Sequence, residues 1–202
     1  MQLLHLDSSV LGAASVTRQL SAEIVARQRA LHPDLRVIYQ DLDVDPALHL
    51  SGAHMAALHG AVGEDATINA DLVKGNAYMD ELFASDILVI GAPMYNFTIP
   101  TPLKAWIDRI AVAGKTFRYA ATGPEGLLKN KKAFIASARG GVYSAGSPAA
   151  AFEHHESYLL GLLAFLGVTD ATVVRAEGVG GGPQAKEAAV ARALADIAAL
   201  PA

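Results

Sequence analysis

A parallel α/β sandwich, one sheet with helices on both faces, is the fold class the sequence predicts, and three observations predict it. Short apolar runs alternate with longer alanine- and leucine-rich stretches in the order βαβαβαβαβα. The connections between them are mostly short, as sequential crossovers require. The run at residues 86–92, DILVIGA, is apolar without alternation, which suits a central strand covered on both faces.

The elements follow in order. Residues 2–7 (QLLHLD) read as the first strand and 15–31 as the first helix. Residues 35–40 (LRVIYQ) form a second strand, because β-branched and aromatic residues fit a pleated surface. A longer connection containing Pro46 and residues 51–60 precedes a helix over 66–83. Pro93 ends the third strand, since proline cannot donate to a ladder. Thr101 is then expected as the N-cap of a helix with Pro102 in its first position. On that helix Leu103, Trp106, Ile107 and Ile110 share one face, opposite Lys104 and Asp108. Residues 132–138 (KAFIASA) give a fourth strand, 151–166 a helix, 171–176 a fifth strand and 183–200 a closing helix. No repeat, linker tract or charge block interrupts this order, so residues 1–202 are read as a single domain.

Composition excludes several function classes. A chain of 202 residues that is 52% hydrophobic and 18% charged can bury a sizeable core and is not disordered. Sixteen Lys and Arg against twenty Asp and Glu leave a net charge of −4, with no basic stripe, so no nucleic-acid partner is expected. Cysteine is absent, which removes disulfides, thiolate nucleophiles, iron–sulfur clusters and cysteine-ligated zinc. The start MQLLHLD has no basic n-region, and no run of 18 residues is uninterruptedly apolar. A cytoplasmic protein with no membrane partner is expected.

Ligands in open parallel sheets bind beyond the carboxyl ends of the strands, where the strand order reverses. The loops after strands one, three and four are therefore the ones that carry chemistry. Residues 7–17, DSSVLGAASVT, bring the hydroxyls of Ser9, Ser15 and Thr17 to the first amides of a helix, which suits an anion. No Lys or Arg precedes Arg18, so a phosphate monoester fits better than a triphosphate with magnesium. Alone, Ser15 reads equally well as an ordinary N-cap. After strand three, Met94, Tyr95, Asn96 and Phe97 place a thioether, two aromatics and an amide in a loop. They can flank a planar ring and serve its polar edge, or fold back over the core. After strand four, Arg139 offers positive charge, and Gly140 and Gly141 allow close backbone approach.

Two near-motifs fail. Gly114-Lys115-Thr116 resembles the end of a P-loop, but Arg109 stands at the first glycine and a helix precedes it. The run 178–183, GVGGGP, puts Pro183 where a dinucleotide fingerprint needs glycine, so it reads as a structural glycine loop. His49, His54 and His59 are five apart, and His154 and His155 are neighbours, so they read as solvated surface positions and no metal site is expected. No Ser-His-Asp or paired-carboxylate constellation is legible.

At these loops the chain resembles the FMN-dependent NADH azoreductase family, within the flavodoxin-like NAD(P)H:quinone oxidoreductases. The residues carrying the resemblance are Leu6-Asp7-Ser8-Ser9 with Ser15-Val16-Thr17, Ala92-Pro93-Met94-Tyr95-Asn96-Phe97, and Arg139-Gly140-Gly141. Thr116-Phe117-Arg118-Tyr119, Gly123-Pro124-Glu125-Gly126-Leu127, Gly167-Val168-Thr169-Asp170 and Ala176-Glu177-Gly178 extend it along essentially the whole chain. It implies a flavodoxin-like three-layer sandwich with strand order 2-1-3-4-5. It also implies non-covalent FMN, with Ser9, Ser15, Val16 and Thr17 at the phosphate, Met94 to Phe97 along the ring, and Ala138, Arg139, Gly140 and Gly141 at its pyrimidine end. The implied reaction passes two electrons from NADH or NADPH to quinones and azo compounds, with no catalytic residue beyond the cofactor. The chain departs from the family in having Thr17 for the second serine of Ser-x-Ser, Ala138 for the serine of Ser-Arg-Gly-Gly, and an alanine-rich stretch at 147–152.

The resemblance further implies a homodimer, and Trp106, Tyr119 and Phe165 are expected near the strand ends where the crevice opens, to be covered by a second copy. Tyr119 and Phe165 are assigned to the substrate pocket. Two rival classes stand beside the enzyme: a flavodoxin-type electron carrier, which needs a strongly acidic docking face, and a flavin-free regulatory subunit.

Overall fold

The computed structural model describes residues 1–201 apart from 61, 62 and 64. Five parallel strands form the central sheet: β1 (Gln2–Asp7), β2 (Arg36–Asp41), β3 (Ile87–Pro93), β6 (Lys132–Arg139) and β7 (Asp170–Glu177). Their order is β2-β1-β3-β6-β7, the expected 2-1-3-4-5 arrangement once the two strands outside this sheet are set aside. Leu4 pairs with Ile38 and Leu88, and Ile90 with Ile135, so the registers align the apolar centres of four strands.

Each face of the sheet buries its own core. Leu4, Leu6, Leu88, Ile90 and Ile135 pack under α3 (Ala66–Ala84), α4 (Thr101–Ile110) and α5 (Glu156–Leu166). Leu3, Ile87, Val89, Phe134 and Ala136 pack under α1 (Val16–Leu31) and α6 (Pro183–Ala198). Alternate residues of one strand thus serve opposite layers, which is why β3 is apolar throughout.

Four local readings change. Helix α4 starts at Thr101 with Pro100 as N-cap, because Lys104 N–H already donates to the Pro100 carbonyl at 3.0 Å. Helix α5 starts at Glu156 instead of 151. The Glu153 carboxylate accepts the amides of His155 at 2.9 Å and Glu156 at 2.7 Å, fixing the start there, and Ala150–Phe152 is a separate 3₁₀ turn. The connection over 51–60 contains a short helix, α2 (Gly52–Leu58). Residues after α4 form an antiparallel hairpin, β4 (Phe117–Ala120) with β5 (Gly123–Gly126). Its four-residue strands, rich in glycine and proline, carry no periodicity to read. Gly126 lies so close to Gly167 that an added Cβ would sit 2.1 Å from the Gly167 nitrogen, so the hairpin is seated on the C-terminal end of α5.

Candidate functional site

Helix α1 leaves β1 toward one face of the sheet and α4 leaves β3 toward the other. A crevice therefore opens between neighbouring strands at their carboxyl ends. Its volume is about 340 Å³, and Ser9, Ser15, Thr17, Met94, Tyr95 and Gly140 are among the residues lining it.

The loop after β1 forms one wall. Ser8 Oγ donates to the Gly91 carbonyl at 2.8 Å, tying this loop to β3. Ser9 Oγ lies 3.1 Å from the Tyr95 hydroxyl, joining the loops after β1 and β3 across the crevice. A 3₁₀ turn at Gly12–Ala14 then delivers Ser15 as the N-cap of α1, where its Oγ accepts the Arg18 amide at 3.2 Å. The Ser15 and Thr17 hydroxyls are 3.1 Å apart and both residues are buried. The amides of Val16 and Thr17 begin the helix and have no helical carbonyl to receive them. Two hydroxyls and two free amides thus converge where the positive end of the helix dipole meets the crevice. Ser15 is both the cap and a lining residue.

Arg18 does not point its charge at the crevice. Its guanidinium grips Asp41 and donates to the Ser9 carbonyl at 3.0 Å, bracing the loop from behind. That hydrogen bond from Arg18 holds the Asp41 carboxyl below the usual carboxylate range. Beneath lies Asp7, which accepts from Ser21 Oγ at 2.8 Å and from the Tyr39 hydroxyl at 3.1 Å. Burial, reinforced by Asp7, pushes the Tyr39 phenol up to about 12.

The loop after β3 is a tight turn. Tyr95 and Thr98 exchange backbone hydrogen bonds of 3.0 and 3.2 Å, and the residues between them, Asn96 and Phe97, have φ of 48° and 73°. A phenylalanine in the left-handed region is strained, and such strain concentrates at ligand-contacting segments. The turn holds the Phe97 ring 5.2 Å from Phe152 and 6.1 Å from Tyr143, an aromatic rim beside the crevice. The 147–152 stretch therefore contributes to this rim through Phe152.

The third wall is backbone. Met94 N–H donates to the Ala138 carbonyl at 2.9 Å, and Gly140 and Gly141 carbonyls accept from Gly180 and Gly178 at 3.0 Å each. The glycine run after β7 is structural, as expected, and it stitches the loops after β6 and β7 together. A Cβ added to Gly140 would touch nothing, so its main chain lies bare at the crevice.

A model of proteins with a flavodoxin-like fold matches residues 1–200. The chain belongs to that family. It is 53% identical over 200 residues to an FMN-dependent NADH:quinone oxidoreductase of Bradyrhizobium sp. (strain BTAi1 / ATCC BAA-1182), covering 99% of each chain. It is 54% identical over 202 residues to an FMN-dependent NADH:quinone oxidoreductase of Azospirillum brasilense, covering 99% of this chain and 97% of the relative. Among solved structures, an azoreductase from Bacillus anthracis str. Sterne superposes with a TM-score of 0.88 at 28% identity, covering 98% of this chain and 97% of that one.

Within this flavodoxin-like chain several residues are not where the sequence reading put them. The Arg139 side chain is 1% exposed and turns away from the crevice, with Nη2 2.8 Å from Glu156 and 3.5 Å from Glu177. Only its backbone adjoins the crevice loops, because the alternation along β6 sends the Ala138 and Arg139 side chains to opposite faces. Trp106 is 2% exposed, packed on Tyr78 in the core, and takes no part in any surface. Tyr119 is 77% exposed on the β4–β5 hairpin, and the Phe165 ring packs tilted against Phe117 with centroids 4.6 Å apart. Both sit where α5 ends and β7 is about to start, at the opposite end of the sheet from this chain's crevice.

Two of the five histidines read as solvated are buried. His155 is fully enclosed, and burial pushes its imidazole down to about 4. His54 lies between Ser51 Oγ at 2.7 Å and Asp71 at 3.1 Å. This is the residue order of a hydrolytic triad, which the sequence reading did not find. Arg109, also bonded to Asp71, stands 3.0 Å from His54 Nε2 and donates to the Leu48 carbonyl at 2.8 Å, so the triad-like group is walled in by a guanidinium. With Ser51 capping α2, the cluster is a structural brace between α2, α3 and α4. The sequence reading also missed Lys186, which lines the crevice from α6. No local signal marks it, because only the fold carries the first turn of α6 to that place.

Proposed function

We propose that this chain is an FMN-dependent oxidoreductase that passes two electrons from NADH to quinones and to azo compounds. The observation that carries this reading is the crevice at the switch point, with hydroxyls and free helix amides on one wall and the Met94 to Phe97 turn on another. The names of the Bradyrhizobium and Azospirillum relatives support the quinone activity, and that of the B. anthracis neighbour supports azo reduction.

The residues present fit FMN. Ser15, Thr17 and the amides of Val16 and Thr17 would hold the phosphate, and Ser9 would lie beside them. Met94, Tyr95, Asn96 and Phe97 would line the ring, with the main chain of Ala138 to Gly141 at its far end. The bound flavin supplies two-electron redox chemistry, and the protein supplies position and electrostatics. Tyr95 links the walls through Ser9. The aromatic rim of Phe97, Tyr143 and Phe152 gives planar acceptors an apolar surface and keeps water from that edge.

The chain is further proposed to act as a cytoplasmic homodimer, with neither nucleic-acid nor membrane partners. Among the described residues no helix is long and apolar enough to cross a membrane. Leu11, Phe97, Val142 and Phe152 stay exposed around the crevice mouth, an apolar rim that a second copy would cover. Tyr119 and Phe165 cannot reach their own crevice. In a two-fold pair they would line the substrate pocket of the other copy.

The test is to reconstitute the purified protein with FMN or FAD and follow NADH oxidation with a small quinone. FMN retention with sustained turnover is the expected result. Preferential uptake of FAD, or FMN uptake without turnover, would sink the enzyme reading, the latter in favour of an electron carrier.

A further inference from the structure

A phosphate monoester carries about −1.5 to −2 charges at neutral pH. Every donor identified so far on the α1 wall, two hydroxyls and two amides, is neutral. One cation is placed to complete the set. Lys186 lines the same crevice as Ser15, Val16 and Thr17 and is the only lysine or arginine among the described residues that does so. The nearby arginines are already engaged, Arg18 by Asp41 and Arg139 by Glu156. Among the described residues the Lys186 ammonium makes no salt bridge or side-chain hydrogen bond. Its position also works against its own helix. Lys186 stands in the first turn of α6 (Pro183–Ala198), where the positive end of the helix dipole disfavours a cation. Lys186 is exposed, so water satisfies its charge in the free protein, and its place on the crevice lining lets the ammonium turn toward an anion held by the α1 wall.

We propose that Lys186 is the countercharge for the FMN phosphate and makes the crevice select phosphorylated flavin over riboflavin. This rests on the flavin reading above. Lysine suits the role because its compact charge on a flexible stem can approach a phosphate that neutral donors already orient. The interaction is Coulombic and Lys186 is exposed, so it weakens with salt.

The experiment compares flavin binding to the apoprotein, followed by quenching of flavin fluorescence, for wild type, Lys186→Gln and Lys186→Arg. Lys186→Gln is expected to weaken FMN about tenfold, equivalent to about 1.4 kcal/mol, while riboflavin affinity stays within twofold. Raising ionic strength should weaken FMN binding to the wild type more than to Lys186→Gln, and Lys186→Arg should retain most of the wild-type affinity. The thermal midpoint of Lys186→Gln should hold or rise, because the clash with the dipole is removed. Equal losses for both flavins, an unchanged FMN affinity, or a change confined to the KM for NADH would each overturn the inference and leave the flavin reading standing. A wild-type protein that binds neither flavin would overturn both.

Discussion

Arg18 holds Asp41 with both terminal nitrogens, at 2.5 and 2.7 Å, and the same guanidinium donates to the Ser9 carbonyl at 3.0 Å. The edge strand β2 thereby fixes the shape of a loop that it does not touch through its main chain. Bidentate arginine–carboxylate pairs are directional, so losing the carboxylate frees the guanidinium to move. Asp41→Asn is expected to weaken FMN binding about five- to twentyfold, with no change in the far-ultraviolet spectrum. Titration with FMN checks it, and an affinity within twofold of wild type would show that Ser9 holds its place without the brace.

The phosphate wall predicts an asymmetry between its two hydroxyls. A hydrogen bond to a charged group contributes about 1.5–3 kcal/mol, a ten- to hundredfold effect on affinity. Thr17→Ala should show that loss for FMN with a stability loss that leaves the α1 cap in place, since Thr17 is buried and its hydroxyl lies 3.1 Å from Ser15 Oγ. Ser15→Ala should show it together with a stability loss of about 1 kcal/mol, because Ser15 Oγ also caps α1 by accepting the Arg18 amide. Faster hydrogen exchange of the Arg18 amide in Ser15→Ala alone checks the dual role of Ser15, and equal exchange in the two variants would contradict it.

Gly91 predicts a destabilising alanine in a strand with room for nothing else. A Cβ there would sit 2.2 Å from Asp7 Oδ1, and Asp7 cannot yield because Ser21 and Tyr39 bond to it. Gly91→Ala should cost about 2–4 kcal/mol through overpacking and the loss of buried hydrogen bonds. A urea midpoint unchanged from wild type would show that Asp7 has another place to go.

Buried His155 predicts acid sensitivity above the carboxylate range. Its pKa is lowered from 6.5 to about 4, so the unfolded chain binds this proton more readily than the folded one. Stability from the neutral imidazole is fully present above pH 6.5 and falls as the pH drops from there to about 4, by roughly 3 kcal/mol in all. Asp41, Asp71, Glu153 and Glu177 are held below their ordinary values, so their contributions go only at lower pH. His155→Asn should remove the loss between pH 6.5 and 4.5 and leave the later one. Denaturant midpoints at pH 7, 5.5 and 4.5 decide it.

The sheet was legible because its signal is local. The run DILVIGA can only be a strand covered on both sides, and the serines after β1 and the Met94 to Phe97 segment stand at strand ends whatever the topology. What escaped was decided by long-range geometry. Whether Arg139 faces ligand or protein depends on the alternation along β6 and on Glu153, Glu156 and Glu177, the last two from beyond the next loop. His54 and His155 look like surface residues until Asp71 and Arg109, or the enclosing core, are in place around them. Lys186 is 169 residues from Thr17 in sequence, yet the two line one crevice. The β4–β5 hairpin is held by contact with Gly167, not by any periodicity of its own.

The last prediction concerns the order of substrates. The loop after β1 closes one wall of the crevice, the Met94 to Phe97 turn a second, and the main chain of Gly140 with Val179 a third. One open side is left for both the nicotinamide and the acceptor, so donor and acceptor must occupy it in turn. Alternating use of one site implies ping-pong kinetics, with oxidised nicotinamide leaving before quinone arrives. Double-reciprocal plots at several fixed quinone concentrations should therefore be parallel, and quinone should inhibit competitively against NADH at high concentration. Stoichiometry adds a second check. A quinone takes two electrons and should consume one NADH. Cleavage of an azo bond to two amines takes four electrons and should consume two NADH with two protons. Lines that intersect, or one NADH consumed per azo bond cleaved, would show that donor and acceptor are bound together or that electrons enter from another source.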